Sequence, residues 1–433
     1  MALVLLGVAN VAAIVALWLS GGGVQDIDDT ASALTSLGRL SGLLGAYGVL
    51  VQVLLVGRLP VLDQLVGFDR LTVWHRRNGR VALILLLAHA GLILAGYSLA
   101  DGNSPVTQLG LLIEGYPGVI TAIAGLAALV AVVVTSLVIV RRRLRYETWY
   151  FVHLYTYLGI ALAFSHQLAT GADFVGAPVA RAYWYTLYIG TLGALVLFRI
   201  VVPVVRNAYY GLRVERVVVE APGFVSLEVG GAHLDRLKAR AGQFFTWRFL
   251  TRDHWWEAHP FSLSAAPDGR RLRITVKGLG DHTSALGSIR PGTRVLVEGP
   301  FGVFTSAARR RPRVALIAGG VGITPIRALL EDMPGEAGDI AVVYRVAHAD
   351  EVILRDELDE LARRRQADLH YVVGDHREVA GLLSAEHLCE LVPDIAGRDV
   401  YVCGPPAMTE ATGASLRRAG VPRRQIITES FAL

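Results

Sequence analysis

Residues 73–99 read VWHRRNGRVALILLLAHAGLILAGYSL, and residues 148–168 read TWYFVHLYTYLGIALAFSHQL. Each run is long enough to cross a bilayer as a helix, and each carries a histidine near both ends. His75 and His89 stand 14 residues apart; His153 and His166 stand 13 apart. Ionisable side chains are costly in lipid, so those in a span mark function. At about 1.5 Å rise per residue, the two positions in each run lie roughly 20 Å apart along a helix. That is about two-thirds of a hydrocarbon core roughly 30 Å thick. Two helices built this way can hold two metal centres at two depths.

The chain has 433 residues, 53% of them hydrophobic, and a mean hydropathy of +0.45. A soluble domain has roughly 45–50%. The excess sits in residues 1–205, whereas residues 208–433 read as soluble sequence with strands, turns and charges. A membrane half and a globular half follow, the second long enough for two domains. Net charge is +5 and the isoelectric point about 9.3. The arginines cluster beside apolar runs, so membrane topology explains the basic balance and nucleic acid does not. Both cysteines, Cys389 and Cys403, fall in the soluble half. They form no disulfide framework and fit a reducing cytoplasm. Residues 1–20 have no basic stretch ahead of the apolar run and no small-residue cleavage site, so a retained span is expected rather than a signal peptide.

Six apolar segments can be marked, at about 2–19, 40–57, 73–99, 118–140, 148–168 and 182–205. The loops between them alternate in charge. The first, 21–38, carries Asp26, Asp28 and Asp29 and no Lys or Arg, while the second carries Arg58, Arg70, Arg76, Arg77 and Arg80. The third, 100–117, has Asp101 and Glu114 and no basic residue; the fourth is Arg141-Arg142-Arg143-Leu144-Arg145. Basic loops stay on the cytoplasmic side. The expectation is a plasma (inner) membrane protein with six spans, both termini and the whole soluble half being cytoplasmic.

That orientation gives the histidines their depth. His75 and His153 open their spans near the cytoplasmic face; His89 and His166 lie toward the outer face. The pairs are therefore His75 with His153 and His89 with His166. Bis-histidine ligation of haem iron is the chemistry such pairs serve, because neutral imidazole is a common iron ligand and this half has no thiolate. A single intramembrane histidine is often a hydrogen-bonded core residue, but two pairs at matching depths are not. Helical rotation sets a condition. A spacing of 14 returns to within about 40° of the same face, but 13 misses by about 140°. A bend, a π-bulge or different approach angles can absorb the mismatch. Arg39, at the start of the second segment on the outer side, can pair with haem propionates or snorkel to the interface.

From Leu212 onward, strands are expected at 213–220, 225–229, 243–249, 271–277 and 294–298, punctuated by Gly and Pro as in a small antiparallel barrel. Within it stands His259-Pro260-Phe261-Ser262, an aromatic followed by a hydroxyl, which can stack on a flavin and bond its N5 edge. Lys277, Gly280 and Thr283 belong to a stretch suited to a pyrophosphate. Gly299-Pro300-Phe301-Gly302 reads as a turn closing the barrel. After Pro312 a buried strand, 314–318, runs into Gly319-Gly320-Val321-Gly322-Ile323-Thr324-Pro325 and then a helix at 326–332. A strand, a glycine turn and a helix N-terminus make a phosphate-binding device. Strands at 340–346, 369–373 and 399–403 alternate with helices, the rhythm of a parallel sheet. Cys403-Gly404-Pro405 sits at such a strand end.

HPFS, GGVGITP and CGPPAM, in this order, resemble the ferredoxin–NADP reductase superfamily. With the six spans and two histidine pairs before them, the whole chain resembles the ferric reductase and NADPH oxidase family. The resemblance implies an all-α transmembrane bundle at 1–207, an antiparallel β-barrel FAD domain at 208–308 and an α/β Rossmann-like nucleotide domain at 309–433. It also implies FAD, two b-type haems and NADPH, with NADH as the alternative. It puts Phe261 on the flavin ring and Ser262 near N5, with His259 where soluble members have arginine. Gly320, Gly322, Thr324 and Pro325 fall on the nucleotide contacts, and Cys403 and Gly404 near the nicotinamide. Phe431 matches the near-terminal aromatic that covers the flavin, although two residues follow it here. Arg345 falls where relatives contact the 2′-phosphate, and a guanidinium suits that dianion. The expected activity passes electrons from cytoplasmic NADPH across the bilayer to O₂, giving superoxide, or to a ferric chelate. The alternative is a membrane electron-transfer module serving a periplasmic partner protein. Oligomeric state is not readable from the sequence.

Overall fold

The computed structural model describes residues 2–137, 146–171, 177–253, 255–278, 281–375 and 381–430. The basic loop Arg141 to Arg145 lies outside them. The chain divides into two compact units, Met1–Ile200 and Val201–Leu433.

The first unit is helical: α1 (Ala2–Ser20), α2 (Thr30–Leu55), α3 (Pro60–Val66), α4 (Phe68–Asp101), α5 (Pro105–Gly115), α6 (Val119–Ser136), α7 (Tyr146–Thr170) and α8 (Pro178–Val196). Among the described residues, five helices are long and apolar enough to cross a membrane: Leu3–Ser20, Thr30–Leu55, Arg70–Asp101, Val119–Ser136 and Pro178–Tyr210. The sixth expected span is α7, which at 25 residues is long enough, but its Tyr, Thr and His side chains make it less apolar than the others. Two expectations need correction. The second span begins at Thr30, not near residue 40, because Asp29 caps it. The Asp29 carboxylate accepts from Ser32 N at 2.8 Å, and Ser32 Oγ accepts from Asp29 N at 3.0 Å. Arg39 is therefore well inside a helix. The loop at 100–117 is largely α5, capped by Ser104 with Pro105 in its first turn.

Lipid supplies no hydrophobic force between helices, so close packing of small residues has to hold them together. α2 and α4 run antiparallel along such a seam. A Cβ added to Gly38, Gly42, Gly45 or Gly48 would meet Ile93, His89, Leu86 or Ala82 at 3.0, 2.6, 2.9 and 3.0 Å. α6 and α7 do the same, with a Cβ on Gly125 lying 2.7 Å from Gly159 O. Each histidine-bearing helix is thus packed on its own glycine-rich neighbour.

The second unit opens with α9 (Val202–Tyr210), which Gly211 ends in a left-handed conformation (φ +54°). Next come β1 (Arg213–Ala221), β2 (Phe224–Gly230), β3 (Phe244–Phe249), β4 (His259–Ser262), β5 (Arg271–Lys277), α10 (Asp281–Ala285) and β6 (Val295–Phe301). Two three-stranded antiparallel sheets, β1-β2-β5 and β4-β3-β6, meet through bridges at Arg213–Arg294 and Leu263–Ile274. They enclose Leu227, Phe245, Trp247, Leu263 and Ile274. The HPFS motif is itself strand β4. The expected turn at 299–302 is corrected: β6 runs on to Phe301, which pairs with Phe244.

The remainder is α/β: β7 (Val314–Gly319), α11 (Ile323–Asp332), β8 (Ile340–Val346), α12 (Arg355–Arg365), β9 (Asp368–Val373), α13 (Ala385–Leu391), β10 (Asp399–Gly404), α14 (Pro406–Arg418) and β11 (Ile426–Ser430). Its parallel sheet has the order β11-β10-β7-β8-β9. Every residue of β7 is buried, as a central strand covered on both faces requires. The order reverses between β7 and β10, which places a crevice at their carboxyl ends.

Charge joins this sheet to the barrel. Arg273 on β5 grips the Glu357 carboxylate of α12 with two hydrogen bonds, at 2.7 and 2.8 Å, and Arg327 Nε lies 2.9 Å from the same carboxylate. Arg327 also pairs with Glu331, which accepts from Ala266 N at 2.8 Å. Burial pushes the Glu357 carboxyl up, but the Arg273 hydrogen bonds and the Arg327 charge outweigh it and hold the group below the usual carboxylate range.

Two expectations follow. Gly125→Val should drive α6 from α7 at a cost of about 1–3 kcal/mol. Thermal unfolding of the purified protein in detergent should register the loss. Gly91→Val, on α4 with nothing within 4 Å of its added Cβ, should leave that transition in place. Glu357→Gln should cost about 2 kcal/mol, discounted from the ~3–5 kcal/mol of a fully buried pair because the carboxylate keeps 36% exposure. Since the folded value is depressed, this contribution is complete above the unfolded value of about 4.3 and fades as pH falls through the folded one. Denaturation curves of wild type and variant should therefore converge in acid.

Candidate functional site

The four histidines share one feature that their sequence positions did not reveal. Each ring has Nδ1 tied to the protein. His75 Nδ1 lies 3.2 Å from Gln52 O, and His89 Nδ1 lies 2.9 Å from Gly38 O. His153 Nδ1 lies 3.3 Å from Ser136 Oγ, and His166 Nδ1 lies 2.9 Å from Thr170 Oγ1. Carbonyls only accept, so His75 and His89 carry their proton on Nδ1 and present the Nε2 lone pair. This is the way a metal-ligating histidine is normally oriented.

One of the two expected pairs is in ring contact. The His75 and His153 rings have centroids 6.1 Å apart with planes at 49°. An imidazole nitrogen sits about 2 Å from a metal ion, so two rings sharing one ion have centroids about 6 Å apart. His89 on α4 and His166 on α7 are held by their own neighbours. Space for them is made by glycine: a Cβ on Gly42 would lie 2.6 Å from His89 Nδ1, and one on Gly118 would lie 3.0 Å from His166 Cα. The helix between His153 and His166 is regular α, so the π-bulge that the 13-residue spacing allowed is not there; the described π-turn is at Leu197–Val201. Among the described residues no group of three or more His, Cys, Asp or Glu can hold a metal.

Arg39 donates to Gly21 O at 3.2 Å. It helps line an open recess of about 470 Å³ with Asp26, Asp28, Asp29, Thr35 and Tyr97. Gly38, whose carbonyl holds His89, is the residue just before Arg39 in α2.

In the second unit, Ser262 is 3% exposed and its Oγ is buried without a hydrogen-bond partner. A buried hydroxyl left unmatched is costly unless a ligand completes it. It stands in β4 beside Phe261, whose carbonyl accepts from Trp247 Nε1 at 3.0 Å. The His259 ring stacks near Phe261 at 6.2 Å with planes 23° apart, and Pro260 between them is exposed. An aromatic face and an unspent hydroxyl on one strand fit a flavin edge. Lys277 departs from expectation. Its Nζ is 3.2 Å from Glu351 Oε1 and 5.2 Å from the Phe224 ring centre, so its charge is engaged across the barrel–sheet contact. Thr283 lies in α10; Gly280 and Phe431 lie outside the described residues.

The crevice at the carboxyl ends of β7 and β10 is built by glycine. A Cβ on Gly322 would lie 2.3 Å from Cys403 O and 2.9 Å from Gly404 Cα, and one on Gly319 would lie 2.0 Å from Met408 Sδ. Gly320 has φ +53°, which side chains resist. The N-termini of α11 and α14 open beside it, and amide-rich helix ends attract phosphate. The expected helix start moves back to Ile323, so Thr324 and Pro325 are in its first turn. Thr324 Oγ1 donates to Val321 O at 3.0 Å. Pro405 precedes α14 as its cap. Arg345 is the register partner of Gly319 and donates to Gly374 O at 3.3 Å. Cys403 is fully buried, and burial pushes its thiol up, so it stands at the strand end as a neutral group.

Comparison with known proteins agrees with this layout. A family model described as the ferric reductase like transmembrane component matches residues 41–164. An FAD-binding domain matches residues 225–305 and an oxidoreductase NAD-binding domain residues 316–413. The three matches together give the chain a ferric-reductase-like transmembrane part followed by FAD- and NAD-binding modules, an order that matches the architecture of ferric reductases and NADPH oxidases. It is 34% identical over 203 residues to the ferredoxin reductase component of 3-ketosteroid-9-alpha-monooxygenase from Mycolicibacterium smegmatis, covering 46% of this chain and 57% of that protein. It is 34% identical over 181 residues to a flavohemoprotein from a Burkholderia species, covering 40% and 46%. The chain thus spans about half the length of these curated relatives. Among solved structures, the FAD/NAD-binding domain of a nitric oxide dioxygenase from Vibrio cholerae superposes with a TM-score of 0.44 at 24% identity, over 51% of this chain and 98% of that one.

Proposed function

We propose that the protein takes electrons from cytoplasmic NADPH and delivers them to an acceptor outside the membrane. The observation that carries this reading is the set of four histidines with Nδ1 engaged, of which His75 and His153 bring their ring centroids to 6.1 Å. In this reading residues 1–207 form the transmembrane haem domain, 208–308 the FAD domain and 309–433 the nucleotide domain. The chain crosses the plasma (inner) membrane six times with both termini cytoplasmic, as the alternation of aspartate and arginine loops supports.

When bound, FAD turns one hydride from the nicotinamide into single electrons, and a haem iron at each histidine pair carries them outward. The chain's own residues position that chemistry. Ser262 offers its hydroxyl to the flavin N5 edge, Phe261 and His259 supply the aromatic wall, and Phe431 is proposed to cover the ring. Gly319, Gly320 and Gly322 let backbone amides approach the nucleotide phosphates, with Thr324, Pro325, Gly404 and Pro405 shaping the crevice. Thr283 and Gly280 remain proposed contacts of the FAD pyrophosphate. Arg345 is the proposed partner of a 2′-phosphate.

For the acceptor, the recess lined by Asp26, Asp28 and Asp29 suits a cationic ferric species. Reduction of O₂ to superoxide is the second reading, and transfer to a periplasmic protein the third. In lipid vesicles with NADPH inside, a cationic ferric chelate outside should be reduced at a rate superoxide dismutase does not change. Suppression of outer cytochrome c reduction by the dismutase would favour O₂ instead. Substituting His89 or His166 by Ala should take the haem count by pyridine haemochrome from two to one per chain. Transmembrane reduction should stop while dye reduction at the flavin persists. Two haems in both variants would sink the ligand assignment. Arg345→Ala should raise KM for NADPH about tenfold, with NADH little affected, since a charge-assisted contact is worth about 1.5 kcal/mol or more.

A further inference from the structure

Two of the four Nδ1 contacts go to side chains, and both hydroxyls have their own proton committed elsewhere. Ser136 Oγ donates to Val132 O at 2.7 Å. The same oxygen is 3.3 Å from His153 Nδ1 and 3.2 Å from Trp149 Nε1. A hydroxyl has one proton and two lone pairs, while an indole N–H only donates. With the proton assigned to Val132 O, its nearer partner, both lone pairs are left for donors, and this assignment gives His153 its proton on Nδ1. Thr170 Oγ1 donates to His166 O at 3.0 Å, so its contact with His166 Nδ1 at 2.9 Å is likewise an accepted bond. The Trp149 ring also lies 5.0 Å from the His153 ring, so the two donors crowd one acceptor.

We propose that Ser136 and Thr170 are positioning residues that fix the ligating tautomer of His153 and His166, and that Trp149 weakens the Ser136 contact by sharing its oxygen. The proposal rests on the reading of the histidine pairs as haem ligands. His75 and His89 donate to main-chain carbonyls, which substitution leaves in place, so the α7 histidines are the side on which side chains set ligand strength. A firmer bond from Nδ1–H makes the imidazole a stronger electron donor and favours the oxidised metal.

Direction therefore distinguishes this role from packing. Ser136→Ala should raise the midpoint potential of one haem, and Thr170→Val that of the other. Each should weaken haem retention by about ten- to a hundredfold, the usual effect of losing such a partner. Ser136→Thr and Thr170→Ser should restore both properties. Trp149→Phe removes the competing donor and should shift the Ser136-side potential downward, opposite to Ser136→Ala. The measurement is a potentiometric titration of the purified full chain in detergent, read by haem absorbance, beside a pyridine haemochrome count. Two haems in the wild type with unmoved potentials and retention in Ser136→Ala and Thr170→Val would overturn the proposal. So would a Trp149→Phe shift in the same direction as Ser136→Ala. A wild type without haem would overturn the underlying reading and this one with it.

Discussion

An imidazole that binds a metal through one nitrogen still has a polar N–H on the other, and hydrocarbon offers that group nothing. The helices must therefore supply an acceptor for every ligating ring. This one requirement organises the membrane unit. A helix carbonyl already accepts one main-chain bond but has a second lone pair. The Gly38 carbonyl takes both His89 Nδ1 and Ser41 Oγ at 2.9 Å, and His89 reaches it because Gly42, one turn further along, has no side chain in the way. The glycine seam is thus both a packing device and a means of bringing a ring against a backbone. On α7, where the neighbouring seam at Gly125 and Gly159 is confined to the middle of the helix, hydroxyls take over the same duty at both ends.

The globular unit solves a different problem with charge. The barrel that carries Ser262 and the parallel sheet that carries the β7–β10 crevice are held together by ion pairs. Arg273, Arg327 and Lys277 converge on Glu357, Glu331 and Glu351 to tie β5 to α11 and to the segment leading into α12. Geometry is fixed here by paired ions, some of them largely withdrawn from water, where leaving one unpaired is expensive.

Much of this was legible in the sequence. Histidine spacing, loop charge and motif order depend on local composition, which a chain displays directly. What stayed hidden depends on partners distant in sequence. Nothing in the run around His75 names Gln52 as its acceptor, and nothing beside Lys277 announces Glu351. Short strands also escaped. β4 contains Pro260, which argues against a strand until its edge position is known, and β11 is five residues long and gains its place by pairing with β10. The early start of α2 had a visible signal, Asp29 three residues before Ser32, which the polar Thr-Ala-Ser-Ala stretch masked in a search for apolar runs. Thr170, one turn after His166, was equally visible as a spacing and gained meaning only with the hydroxyl's second bond.

Every one of the four imidazole contacts closes locally: α4 onto α2, α7 onto α6, or α7 onto itself. None reaches from one helix pair to the other. Each histidine is thus oriented by its own helix pair, and the contacts between the pairs, such as the approach of the His75 and His153 rings and the packing of Leu168 against the cluster of Ala46 and Leu50, are relieved of that task.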